Sequence, residues 1–429
     1  MISLRKLVRP VLALLVLAAL GLNAYTALYP SLSEPLCSWP SGARDSDPVP
    51  SPNDLTFLLF ADPQIRGTGP NTSYRTKLDI FGNDYFLGYL YTTLVRRLRP
   101  TNIVVLGDLF SSQWISDGEF ENRTKRYASR IFTSRALERN GGGELWNVSG
   151  NHDIGYAHDV TTARVSRFRK NFGALNFAVY GQGFRAIVFN SMVVDSEDVR
   201  QARDTREFLQ EQMDVEFSGS TFIFTHVPLY KDAGVCIDSP YFSYYDADKT
   251  QIREQNMLSR ETSTWILSGF FGALGTSGVV VNGHDHEGCL VEHVREGRQS
   301  GDDGAVWRAR GIAAGKTEYS CSRRLDVAAR VADHIAGAGV LEITVRSMMG
   351  QYGGNAGLLS VAWDEKLEGY SRVVFTLCTF GPQHTWWAAR VAAIVALAAV
   401  TLYSAAVSTV SSVQRQRAIN NQQRQRQRR

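Results

Sequence analysis

Five short stretches of this chain carry side chains able to bind a metal or move a proton. They are Asp62-Pro63-Gln64, Gly107-Asp108, Gly150-Asn151-His152-Asp153, Thr225-His226 and Gly283-His284-Asp285-His286. In the third, an amide oxygen, an imidazole and a carboxylate stand side by side behind a glycine that permits a sharp turn. Asp62 with Gln64, and His284 with His286, are two residues apart, so in an extended chain each pair projects to one side. That spacing suits two donors to one metal centre. Taken singly, any of these residues reads better as a helix cap or a satisfied core histidine. Taken together they describe a site for metal-assisted chemistry.

The elements that must position these residues read as an α/β domain. Residues 55–60 are a continuous apolar run of the kind buried on both faces of a sheet, and it ends at Asp62. A helix over 78–98, stopped before Pro100, leads to a second such run at 102–106 that ends at Asp108. A charged helix over 119–138 precedes a third strand, 145–148, which delivers Asn151, His152 and Asp153. Strand, helix, strand with acids at the strand ends is a βαβ arrangement, whose ligands bind at the C-terminal edge of the sheet. Further strands are expected at 177–180 and 186–189, at 221–224 ahead of His226 and at 279–281 ahead of His284, with a helix at 204–213. Late strands at 341–346 and 358–363 flank a glycine-rich turn at 352–357. Residues 296–335, rich in Gly, Ala and Arg, read as an insertion, and no internal repeat is visible.

In their order, the five motifs resemble those of the calcineurin-like metallophosphoesterases, over residues 55–290. The resemblance implies a two-layered β-sandwich flanked by helices, with a two-metal centre at one edge. Carried over position by position, it assigns Asp62, Gln64 and His286 to one metal and Asn151, His226 and His284 to the other, with Asp108 bridging. Two divalent ions about 3.5 to 4 Å apart activate a water between them and clamp both non-leaving oxygens of a phosphoester. His152, oriented by Asp153, would then stabilise the transition state and protonate the leaving oxygen, a helix cap being the alternative for Asp153. Gln64 departs from the commonest family pattern, which has histidine there. An amide oxygen is a harder, weaker donor than imidazole, so Mn or Mg is expected rather than Zn, and Mn foremost. Asp285, between two ligand histidines, is expected to point away into a structural hydrogen bond. His158, His293, His334 and His384 have no comparable setting.

With 429 residues, 44% hydrophobic and 21% charged, the composition is that of a globular protein with some membrane content. The formal charge is only +4, and Arg415, Arg417, Arg424, Arg426, Arg428 and Arg429 in the C-terminal tail supply much of the excess, which leaves no case for nucleic acid as a partner. Residues 11–22 are unbroken apolar and continue weakly to Tyr29, behind Arg5, Lys6 and Arg9. An uncleaved anchor with a cytosolic N-terminus is expected, a cleaved signal peptide being the alternative. Residues 391–410 carry no charge, follow Trp386, Trp387 and Arg390, and lead to the arginines, the pattern of a span with a cytosolic C-terminus.

The expected organisation is a cytosolic N-terminus and anchor helix (1–29), a Pro/Ser-rich stalk (30–53), a lumenal metallophosphoesterase domain (54–380), a transmembrane helix (386–412) and a cytosolic arginine-rich tail (413–429). Sequons at Asn71, Asn122 and Asn147 are compatible with a lumenal domain, Asn147 being expected to be too buried for modification. The five cysteines, Cys37, Cys236, Cys289, Cys321 and Cys378, allow at most two pairs, and the pairing is open.

Two spans around such a domain, with Asp62-Pro63-Gln64 first and Gly283-His284-Asp285-His286-Glu287-Gly288-Cys289 last, look like one branch of the family. These are the endoplasmic-reticulum (ER) membrane enzymes that remove ethanolamine phosphate from mannoses of glycosylphosphatidylinositol (GPI) anchors. The run 344–354, Thr-Val-Arg-Ser-Met-Met-Gly-Gln-Tyr-Gly-Gly, strengthens the resemblance to fungal members. It implies a GPI-anchor glycolipid or GPI-anchored protein as substrate, cargo-receptor proteins of ER exit as partners, and a catalyst tethered near its bilayer-held target. The alternatives are a lumenal metallophosphoesterase acting on a nucleotide or lipid head group, and a non-catalytic trafficking factor with a degenerate metal site at Gln64.

Overall fold

The computed structural model describes residues 2–32, 37–39, 53–69, 71–138, 143–196, 200–272, 278–296, 306–312, 339–365, 369–381 and 383–428. They fall into two compact units, Ser33–Pro382 and, separately, Met1–Leu32 with Gln383–Arg429.

In the first unit the strands in chain order are β1 (Leu55–Phe60), β2 (Asn102–Val105), β3 (Glu144–Asn147), β4 (Phe177–Gly181), β5 (Phe184–Val188), β6 (Ser220–Phe224) and β7 (Phe242–Tyr244). They continue with β8 (Ile252–Gln255), β9 (Gly278–Asn282), β10 (Cys289–Glu296), β11 (Val306–Gly311), β12 (Gly339–Thr344), β13 (Asn355–Asp364) and β14 (Gly369–Thr379). One sheet has the order β14-β13-β1-β2-β3, a second β11-β10-β12-β9-β6-β5-β4, and β7-β8 is a separate hairpin. β1, β2 and β3 run parallel, as do β5, β6, β9 and β12. The outer strands pair antiparallel.

Alternation of side chains along these runs decides the layering. Leu55, Phe57 and Leu59 of β1 face a core shared with Phe222 and Phe224 of β6, Val279 and Val281 of β9, and Leu341 and Ile343 of β12. Phe57 lies 5.5 and 5.2 Å from the rings of Phe222 and Phe224, so the two sheets close as the expected β-sandwich. Burying a side chain such as Phe57 contributes roughly 1.5–3 kcal/mol. Phe60 faces the opposite way, against Tyr91 of the helix Tyr74–Leu98 and against Phe132. These strands are thus covered on both faces, which is why they read as continuous apolar runs.

Several expected boundaries move. The helix expected from 78 begins at Tyr74, where the Ser73 hydroxyl accepts from the Thr76 N–H at 3.1 Å. The single helix expected over 119–138 is three segments, Asp117–Arg126, a π turn at Tyr127–Ile131, and Ser134–Glu138. At the break, Tyr127 and Phe132 pack with ring centroids 4.6 Å apart, while Arg126 and Arg130 close on the buried Asp84 carboxylate at 2.6 and 3.2 Å. Within the expected insertion 296–335, Val306–Gly311 is a strand paired with β10, and 297–305 and 313–335 lie outside the described residues. Much of the expected stalk also lies outside them. Its Cys37, however, is disulfide-bonded to Cys378, and the Trp39 indole N–H donates to Leu98 O at 2.7 Å, so this part is tied to the folded domain. Cys236 pairs with Cys289, and Cys321 lies outside the described residues.

The second unit consists of the helices Ile2–Leu32 and Gln383–Gln427, both long and apolar enough to cross a membrane. They are antiparallel. The Arg9 guanidinium donates to the Tyr403 hydroxyl (3.1 Å), the Asn23 amide to Ala389 O (2.8 Å), and Arg390 to Asn23 Oδ1 (2.6 Å). The tail expected at 413–429 continues the second helix to Gln427.

Candidate metal centre

All five motifs follow the C-terminal ends of parallel strands, β1, β2, β3, β6 and β9, at one edge of the sandwich. The loops that carry them are cross-linked by backbone hydrogen bonds, Gln64 N–H to Asp108 O at 2.9 Å and Gly283 N–H to His226 O at 3.2 Å among them. Asp62, Asp108, Asn151 and His226 are buried, and Gln64, His152, His284 and His286 are half-buried. Four of the six described non-glycine residues with positive φ belong to this set: Asp62 (52°), Gln64 (41°), Asp108 (50°) and His284 (71°). Each such conformation costs roughly 1–2 kcal/mol and persists where surrounding structure enforces it, commonly at functional sites.

Each of three histidines has one nitrogen engaged at its outer side, which turns the other inward. His226 Nδ1 donates to Leu106 O at 2.7 Å, leaving Nε2 at 3.0 Å from Asn151 Oδ1 and 3.4 Å from Asp108 Oδ1. His284 Nε2 donates to Gln255 O at 3.1 Å, leaving Nδ1. His286 Nδ1 lies 3.1 Å from the Tyr352 hydroxyl, and its Nε2 lies 3.8 Å from Asp62 Oδ1. Burial holds all three imidazoles below their usual pKa, His284 down to about 3 with the neighbouring His226 adding to the effect, so the rings are neutral. Asp108, His226 and His284 bring ligand atoms within 4.8 Å of one another. Lone pairs on neutral nitrogens and on carboxylate and amide oxygens therefore converge on one another, an arrangement that a divalent cation resolves.

The carboxylates agree. Burial, with Asp108 nearby, pushes Asp62 well above the usual carboxylate range. Burial also pushes Asp108 up, yet charge on His226, His152 and His284 when they are protonated, with the His152 backbone N–H on Oδ1, brings it below its usual value. Gln64 places its amide nitrogen 3.2 Å from Asp108 Oδ2 and 3.2 Å from His286 Nε2. Amide oxygen and nitrogen exchange places on a half-turn, so Gln64 can present its oxygen at the same point. All seven expected ligands, Asp62, Gln64, Asp108, Asn151, His226, His284 and His286, are thus brought together, and the oxygen and imidazole donor set fits divalent metal.

No known family profile matches the chain. The protein TED1 of Saccharomyces cerevisiae is 30% identical, the match covering 87% of this chain and 94% of the relative. An uncharacterized protein of Schizosaccharomyces pombe is 28% identical over 80% of this chain and 86% of its own. Metallophosphoesterase 1 of Pongo abelii is 23% identical over 60% of this chain and 67% of its own. The chain belongs to the calcineurin-like metallophosphoesterases. It is accordingly a metal-dependent phosphoric diester hydrolase.

In this metallophosphoesterase His152 stands beside the ligands. Its backbone N–H donates to Asp108 Oδ1 at 2.8 Å, its Nε2 lies 3.7 Å from Asp108 Oδ2, and its side chain is 36% exposed. Asp153, expected to orient His152, is engaged as a cap instead. Its carboxylate accepts from the backbone N–H groups of Leu109 (3.2 Å), Phe110 (3.1 Å) and Gly150 (2.9 Å), not from His152. It thereby staples the Asp108 loop to the Asn151 turn. Burial and the neighbouring Asp108 push its pKa up to about 8 against the pull of those donors. Asp285 accepts from Glu287 N–H in its own turn at 3.0 Å, the structural bond expected of it.

Sequence reasoning missed the residues that orient the ligands. Tyr352, on His286, lay inside the glycine-rich run quoted for the resemblance. Tyr156, whose hydroxyl is 3.4 Å from His284 Nε2, and Gln255 carry no local signal. His293, given no role from sequence, is buried against Glu342 at 2.6 Å.

Proposed function

We propose that this metallophosphoesterase removes ethanolamine phosphate from a mannose of GPI anchors in the ER lumen, supporting anchor remodelling and ER export of GPI-anchored proteins. The single observation that carries the chemistry is the convergence of inward-turned lone pairs at the strand-end edge. Asp62, Gln64 and His286 would hold one divalent ion and Asn151, His226 and His284 the other, with Asp108 shared. When bound, the ions neutralise phosphodiester oxygens and lower the pKa of attacking water. Four oxygen donors beside three imidazoles suit Mn²⁺.

The chain's own residues do the rest. Asp62 and Asp108 only partly offset two dications, which leaves the site attractive to an anionic diester. His152, half-exposed beside Asp108, would give a proton to the leaving mannose oxygen, a role worth about 10²–10⁴ in rate. The near full-length similarity to a fungal protein supports the fungal branch of the family. Two antiparallel apolar helices support a topology with both termini on the cytosolic side, and cargo receptors of ER exit are the partners such a role calls for.

The test is mass spectrometry of GPI glycans from cells with and without the gene. Retained ethanolamine phosphate is expected without it, reversed by wild type and not by His152→Ala. Unchanged glycans throughout would refute the substrate.

A further inference from the structure

Close to the metal centre lies a second polar cluster for which the proposed chemistry has no use. Lys231, Glu342 and His293 are charged or titratable, yet their side chains are only 1%, 0% and 2% exposed. Glu342 sits on β12, between β9 and β10. Its Oε1 accepts from Asn282 Nδ2 at 2.7 Å, from Lys231 Nζ at 2.8 Å and from the Leu229 N–H at 2.9 Å, and its Oε2 pairs with His293 Nε2 at 2.6 Å. Lys231 Nζ also donates to Leu229 O at 2.9 Å, so residue 229 is held at both its N–H and its carbonyl.

The positions of these partners give the cluster its meaning. Asn282 ends β9, two residues before His284, and Leu229 stands three residues after His226. One carboxylate oxygen therefore grips the chain on the C-terminal side of one expected ligand and the N-terminal side of the other. The loops also meet directly through Gly283 N–H to His226 O, at a longer 3.2 Å. A buried ion pair is weak evidence of added stability, since apolar replacements of similar volume are often neutral or better, so the geometry it imposes is the better account of its presence.

We propose that Glu342 is a positioning residue that fixes the spacing of His226 and His284, and through it the affinity of the pocket these two form with Asn151. The proposal rests on the metal-centre reading above. Lys231 and His293 serve to saturate the carboxylate so that it holds a single pose.

Two charge-matched double variants of the full chain isolate the acceptor oxygen. In Lys231→Met/Glu342→Gln the amide oxygen still accepts from Leu229 and Asn282, while its NH₂ faces His293. In Lys231→Met/Glu342→Ala that acceptor is gone. Mn²⁺ titration of purified protein, followed by electron paramagnetic resonance, reads both pockets without any turnover. Wild type and the glutamine variant are expected to bind two ions with the same pair of affinities. The alanine variant is expected to lose about 10–100-fold at one of the two and keep the other. Equal affinities in the two double variants, or parallel weakening of both pockets, would overturn the proposal.

If thermal unfolding shows that the alanine variant does not fold, Asn282→Ala, which removes a single donor, is the substitute. About tenfold weaker binding at one pocket is expected, and unchanged binding overturns the proposal. Wild type that binds no Mn²⁺ would refute the metal-centre reading together with this one. Wild type with two ions and variants indistinguishable from it would refute the positioning role alone.

Discussion

Replacing Gly150 by alanine probes how closely the two central loops must approach. Gly150 has φ −112° and ψ 176°, extended backbone that any residue adopts, so the sharp turn expected of this glycine is not what requires it. Space is. A Cβ at this position would lie 2.3 Å from both the backbone nitrogen and Oδ1 of Asp108. Ordinary contact begins near 3.5 Å, so something must move by about 1 Å. The Asp108 carboxylate cannot swing freely, because Oδ1 is held by the His152 N–H at 2.8 Å. Overpacking of this kind costs about 1–3 kcal/mol, and a displacement of about 1 Å at a catalytic centre costs about 10²-fold in rate. Gly150→Ala should therefore lower kcat/KM on bis(p-nitrophenyl) phosphate by about 100-fold and weaken Mn²⁺ binding, with circular dichroism unchanged. Gly118→Ala, where nothing lies within 4 Å, is the control and should be silent. A Gly150→Ala enzyme with wild-type rate and metal affinity would refute the close-approach argument.

Other perturbations reach different parts of the same scheme. Tyr352→Phe removes the hydroxyl from His286 Nδ1 and should weaken one Mn²⁺ affinity by about 10–100-fold; an unaltered titration would remove Tyr352 from the site's support. Burial alone would raise the Glu342 carboxyl, but Lys231 and His293 bring it down from its ordinary 4.5 to about 2. A depressed folded pKa adds stability above the unfolded value, so urea unfolding midpoints should fall as pH drops from about 4.5 toward 2. The Lys231→Met/Glu342→Gln pair should flatten that slope, and an equally steep one would disprove the assignment. Among the sequons, Asn71 and Asn122 are exposed, whereas Asn147 lies in β3 with its Oδ1 bonded to the Tyr127 hydroxyl. Endoglycosidase treatment should shift the mass of the protein, and Asn71→Gln with Asn122→Gln should abolish the shift while Asn147→Gln should not. No glycan at either exposed site would count against a lumenal domain.

Legible from local sequence were the seven candidate donors, the strands that end at them and the two apolar helices. Those features are local: an apolar run fixes a buried strand, and the donors follow it within a few residues, so their delivery to one edge needs only parallel strand order. Tertiary structure alone decided which partner each group has. Asp153 could equally have faced His152 until the Asp108 loop arrived with its N–H groups. Cys37 and Cys378 are 341 residues apart, and Glu342 is 113 residues from Leu229. Strands β10, β11 and β14 and the β7-β8 hairpin were likewise illegible, because their short or mixed sequences gain strand character from neighbours in the sheet and not from their own periodicity. The same holds for Gly150, whose necessity comes from an atom 42 positions away and not from its own backbone angles.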